Sequence, residues 1–261
     1  MNAQITNEKT AKPQAKHKLT AVSTTHYVKL VYRSLLFLIA LGFYLYNRIA
    51  GTGRELTDEY ILLGVIGVIY AAEMISRFFP SKLDSPGCQK VFKKNYIPTK
   101  KTDPKIRTGR GTALVLASWI ALNGTLAVLY FLGVLDAGIM ILIGLAYGIC
   151  DMICILFFCP FQTWMMENRC CATCRIYNWD FIMMCTPFLL IPHPFTWTLS
   201  ALALGILARW EITFRVRPER FSTETNGCIS CQNCTEKLCQ HKRQLRSYLK
   251  KYNKRKHKQN G

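Results

Sequence analysis

The chain has 261 residues, half of them hydrophobic, and 34 lysines and arginines against 15 acidic residues give a formal net charge of +19. That combination excludes an ordinary water-soluble core and fits apolar blocks separated by charged connections. The blocks are 35–46, 61–75, 113–135, 138–158, 181–192 and 195–208, and crossing a bilayer takes roughly 20 mostly apolar residues, fewer where flanking side chains snorkel. The expectation is an all-α integral membrane protein with about six transmembrane helices.

Residues 1–26 are polar and carry Lys9, Lys12, Lys16 and Lys18. This is not the pattern of a secretory leader, and too little apolar surface is present to offset ordering, so a disordered basic tail is expected. The membrane domain is placed at 27–214, its first span starting near Tyr27 and serving as the insertion signal. Connection 47–59 mixes Arg48 and Arg54 with Glu55, Asp58 and Glu59. Loop 80–111 is strongly basic, the connection at Asp136 carries no base, and the tail 215–261 is basic to its end. The glycine pairs Gly51/Gly53 and Gly109/Gly111 read as span-edge turns.

Lysine and arginine mark the cytoplasmic side of a membrane protein. The N-terminal tail, loop 80–111 and the C-terminal tail therefore share that side, which requires an even number of spans. Pro192, His193 and Pro194 break block 181–208, because proline and the residue before it leave the helical region. A hairpin of two spans there gives six in all and puts both termini in the cytoplasm of a multi-pass cell-membrane protein; a re-entrant hairpin is the alternative. Trp164, Trp179 and Trp210 then fall at the inner interface, and Tyr44, Tyr46, Tyr60 and Trp197 at the outer one. The partners this implies are the lipid bilayer and anionic headgroups, each basic residue near the surface contributing about 1 kcal/mol. The tail has no nucleic-acid recognition fold, which argues against that partner.

Polar residues inside spans are costly and are usually paired or functional. Glu73 and Arg77 lie four apart, the spacing of an intrahelical ion pair. Asn123 reads as a hydrogen-bond partner between helices. Cys150, Asp151 and Cys154 share one helical face, where Asp151 either pairs with Arg77 or Arg209 or helps pass a soft cation or a proton. Met183, Met184 and Cys185 read as packing, although thioether and thiolate together suit copper(I).

Twelve cysteines exceed what packing needs, and on this topology none faces an oxidising compartment, which argues against a disulfide framework. Cys228, Cys231, Cys234 and Cys239 form a C-x2-C-x2-C-x4-C motif, with His241 close behind. Its first half is similar to the cluster loop of bacterial ferredoxins, departing in the last spacing and in lacking a following proline. The resemblance implies an iron–sulfur cluster on these four cysteines. Zinc on Cys231, Cys234, Cys239 and His241 is the alternative. A second, weaker group in loop 159–178 comprises Cys159, Cys170, Cys171 and Cys174; its adjacent pair is awkward for one zinc ion.

Three functions are open on the sequence. The first is a redox or electron-transfer component with a cytoplasmic iron–sulfur cluster and a redox or protein partner. The second is a soft-metal transporter or handling protein, with Cys150, Asp151, Cys154 and Cys185 along the path and Glu73 in the same polar patch. The third is a non-enzymatic scaffold with structural zinc. Span histidines for haem, a Walker A loop, H-E-x-x-H and G-x-S-x-G are all missing, and no internal repeat is visible.

Overall fold

The computed structural model describes residues 21–51, 53–80, 86–104, 109–166 and 174–229. Cys170, Cys171, Cys231, Cys234, Cys239, His241 and the expected tail helix at 236–252 lie outside the described residues. Within them the chain is helical, with no strand. The helices are α1 (Ala21–Ile49), α2 (Tyr60–Ser76), α3 (Pro86–Val91), α4 (Gly109–Phe131), α5 (Ala137–Leu156), α6 (Asp180–Cys185) and α7 (Pro194–Val216).

Among the described residues, α1, α4 and α5 are long and apolar enough to cross a membrane, and α2 is a shorter apolar helix of 17 residues. The bundle also leaves large apolar side chains uncovered, among them Leu38, Val65, Val68, Leu116, Ile120 and Val128. Apolar surface on this scale is abnormal against water and normal against lipid.

Local chemistry sets the helix ends. Asp136 caps α5 by accepting from the Ile139 amide at 2.8 Å, and its other carboxylate oxygen accepts from the Tyr44 hydroxyl at 2.8 Å. One aspartate thus starts α5 and ties it to the end of α1. His193 caps α7, with Pro194 at the first helical position, where a missing amide proton costs nothing.

Helix α5 is the centre of the bundle. Half of its most apolar window is buried, against 11% for α4. Its glycines allow that approach: a Cβ at Gly144 would meet the Phe188 ring at 2.3 Å, and one at Gly148 would meet the Tyr70 hydroxyl at 2.6 Å.

The block 181–208 folds as a hairpin rather than one kinked helix. Its first arm is α6 followed by a 3-10 helix, Thr186–Leu190, and the chain leaves helical geometry at Ile191 before α7 begins. The arms are antiparallel, since Trp179 donates to Glu211 at one end while Phe188 packs on Phe195 near the other. The first arm also runs the length of α2. Asp180 pairs with Arg77 at one end of α2, and His193 lies 6.5 Å from the Tyr60 ring at the other. Seventeen helical residues cover about 25 Å, so six short-helix residues suffice only because the arm continues through the 3-10 turn and the extended residues after it.

Trp210 differs from its expected place at a lipid interface. It is 4% exposed and packs edge-on against Phe92 at 5.1 Å and Phe221 at 6.4 Å. The indole joins α7 to the polar-side segments instead of anchoring to headgroups, because 86–104 and 218–229 fold back over this end of the bundle.

Candidate functional site

Two features share the end of the bundle formed by the C-terminal halves of α2, α5 and α7 and the start of α6. The first is a buried charged node centred on Arg33, which is 1% exposed. Its guanidinium fork donates to Glu73, to the Gly148 carbonyl at 2.7 Å and to Asp151 at 3.4 Å, thereby joining α1, α2 and α5. Lys29, one turn earlier on α1, approaches Glu73 at 3.6 Å, and the guanidinium stacks over Tyr70 at 5.4 Å. Two cations thus meet two carboxylates, the arrangement that makes buried charge tolerable.

This node corrects two expectations. Glu73 and Arg77 do not pair within α2: Glu73 turns to Arg33 and Lys29, while Arg77 bonds Asp180 and lies over the Tyr177 and Phe181 rings at 5.6 and 5.2 Å. The reason is local, since Arg77 is the C-cap residue, where the backbone is leaving the helix. Asp151 pairs with Arg33 rather than with Arg77 or Arg209; Arg209 stacks on Phe78 and Phe92. Asn123 bonds back to its own helix at the Trp119 carbonyl, 3.0 Å away, instead of bridging two helices.

The second feature is a cleft of about 120 Å³ between α4, α5, α6 and the loop after α5. Cys150, Asp151 and Cys154 reach it together from α5, as their shared helical face requires. Cys159 and Cys174 join them from the loop, and Met183 and Met184 from α6. An aromatic wall closes one side, with Trp119 4.9 Å from Tyr147 and 6.4 Å from Phe161. Cys185 does not take part: it is fully buried in the core, one helical position past the methionines.

Cys159 arrives through the way α5 ends. The Phe157 and Phe158 amides both return to the Ile153 carbonyl, at 2.8 and 3.2 Å, and Pro160 then leads into a π-helical turn, Phe161–Met165. That reversal brings the Cys159 thiol into hydrogen-bonding reach of Cys154. The Cys159 sulfur also accepts the Gln162 amide at 3.3 Å. No disulfide joins any two described cysteines. Among the described residues no group of three or more cysteine, histidine or acidic side chains is placed to hold one metal ion.

The surrounding frame is held by Glu211, three residues past the apolar block ending at Ala208. It accepts from Arg175 at 2.6 Å and from Trp179 at 2.8 Å. Burial pushes its carboxyl up, but these hydrogen bonds outweigh it and leave the pKa below the usual carboxylate range. Glu211 therefore stays charged and fixes the 3-10 turn Arg175–Trp179 that follows Cys174.

Of the tail motif, Cys228 is described, and Asn226 fixes it. This fully buried side chain donates to the Lys90 and Arg220 carbonyls at 3.1 and 2.8 Å, and accepts from the Cys228 amide at 3.0 Å and the Ile97 amide at 3.4 Å. A bridge between Pro98 and Asn226 and a Gly227-to-Ile97 hydrogen bond of 2.8 Å complete the docking. The sequence singled out the cysteines but not Arg33, Asp180, Gln162 or Asn226. For Arg33 a signal existed, a charge set among Leu30, Val31, Leu35 and Leu36 with nothing within its own helix to pair with.

Comparison with protein families, curated proteins and solved structures gives no match, so function rests on the site itself.

Proposed function

We propose that this is a multi-span membrane protein that handles a soft metal ion at thiols on the cytoplasmic end of its bundle. Six membrane segments with both termini cytoplasmic remain the topology that best fits the basic connections, and the length match between α2 and the first hairpin arm supports counting that arm as one. The observation that carries the function is the cleft, whose lining includes four thiols and two thioethers beside an aromatic wall. Sulfur donors select soft ions such as copper(I) over magnesium, calcium or manganese. The nearby carboxylates that would attract harder ions are already engaged, Asp151 by Arg33 and Asp180 by Arg77.

An iron–sulfur cluster in the tail, with a redox role, is the second reading. It rests on the C-x2-C-x2-C spacing and is favoured by the Asn226 docking, which holds the first cysteine of the motif in a fixed position. A structural zinc ion would instead use Cys231, Cys234, Cys239 and His241.

The test is anaerobic purification in detergent, loading with silver(I), and metal analysis after desalting. Silver is expected to remain on the wild-type chain and to be lost when Cys150, Cys154, Cys159 and Cys174 are all replaced by serine. Iron with acid-labile sulfide and a visible chromophore, untouched by those four substitutions and accompanied by no silver at the cleft, would replace this reading with the second.

A further inference from the structure

We infer that Cys154 and Cys159 form a two-coordinate dithiolate site for a monovalent d10 ion, copper(I) or silver(I). The inference rests on the soft-metal reading and deepens it by naming the ligands and the class of ion.

The number of donors in contact decides the class. Structural zinc sites and iron–sulfur clusters draw four protein ligands and catalytic zinc sites three, and no group of even three cysteine, histidine or acidic side chains is so placed among the described residues. Two sulfurs are. The Cys154 thiol is hydrogen-bonded to Cys159, and both side chains line the cleft, which has room for an ion beside them. A filled d shell and a single charge leave copper(I) and silver(I) satisfied by two thiolates, a coordination number too low for zinc.

One backbone donor meets this pair. The Gln162 amide already donates to Cys159 at 3.3 Å, and a hydrogen bond of this kind stabilises a thiolate more than a thiol. Met183 and Met184 line the same cleft and offer neutral thioether donors, which can complete a third position without adding charge. Binding forms two metal–sulfur bonds and releases the thiol protons to water. No oxidation state changes.

The experiment uses the reduced full-length protein in detergent, titrated with copper(I) buffered by bicinchoninate and examined by X-ray absorption at the copper edge. One copper(I) per chain with two sulfur neighbours is expected. Cys154→Ser and Cys159→Ser should each weaken binding by more than about 100-fold, because even second-shell losses at metal sites cost 10–100-fold. Cys228→Ser should leave the affinity unchanged. Cys159→Met keeps a soft donor and should bind with intermediate affinity, which separates loss of a ligand from loss of the fold. Wild-type affinity in both serine variants would overturn the assignment. If a Cys150→Ser/Cys174→Ser variant then lost copper, the cleft reading would survive without this pair. A wild-type chain that binds no copper(I) would sink both.

Discussion

Replacing Arg33 by alanine is expected to destabilise the bundle by about 3–5 kcal/mol, the usual cost of removing one partner from a buried ion pair. The side chain is 1% exposed, and its loss strands Glu73 with only Lys29 at 3.6 Å and frees the Gly148 carbonyl and Asp151. Arg33→Lys should recover a minor part of the loss. Lysine carries the charge but not the planar fork that reaches α2 and α5 together. Arg33→Met with Glu73→Met should recover more, because it removes a buried pair instead of orphaning one member. Thermal unfolding in detergent checks all three variants. A shift in Arg33→Ala equivalent to less than about 1 kcal/mol, the scale of an exposed ion pair, would show that the node is solvated and not structural.

Asn226→Ala is expected to release the segment carrying Cys228. Four backbone groups lose their partner at once, two carbonyls and two amides drawn from 90, 97, 220 and 228. Each buried group left unsatisfied costs about 1–3 kcal/mol, less where water can enter, so a local loss of about 3 kcal/mol or more is expected. Asn226→Asp should do nearly as much damage, since it keeps the acceptor but turns an oxygen toward the Lys90 and Arg220 carbonyls. Limited proteolysis is the readout, with new cleavage between Phe221 and Cys228 in both variants and the membrane helices intact. Unchanged cleavage would mean that the aromatic contacts of Trp210, Phe214 and Phe221 hold the segment without Asn226.

The apolar runs made the long helices legible in the sequence, and Pro192 and Pro194 marked the hairpin break correctly. The shared face of Cys150, Asp151 and Cys154 was legible too, because helical spacing alone brings residues one and four apart together. Cys159 was not, since its approach to Cys154 depends on how the chain turns at Phe157 and Phe158. The charge partners failed for a related reason. Arg33 finds Glu73 and Asp151 across 40 and 118 residues of sequence, whereas local spacing offered Glu73 a nearer candidate in Arg77. Trp210 was read from its position at a span end, and only the fold-back of 86–104 and 218–229 makes it a core residue.

The node and the cleft also bear on each other. Asp151 belongs to both, bonded to Arg33 on one side and lining the cleft on the other. By holding that carboxylate, Arg33 leaves sulfur as the donor type beside Asp151, which is the donor set the proposed soft ion would require.

Mass-spectrometric mapping of the cysteines that silver(I) shields from alkylation in the detergent-solubilised chain tests metal handling at the cleft most directly. Shielding of Cys154 and Cys159, with Cys228 alkylated as fast as in metal-free protein, is the predicted result. Shielding confined to the tail cysteines, with Cys154 and Cys159 reacting as they do without silver, would contradict it.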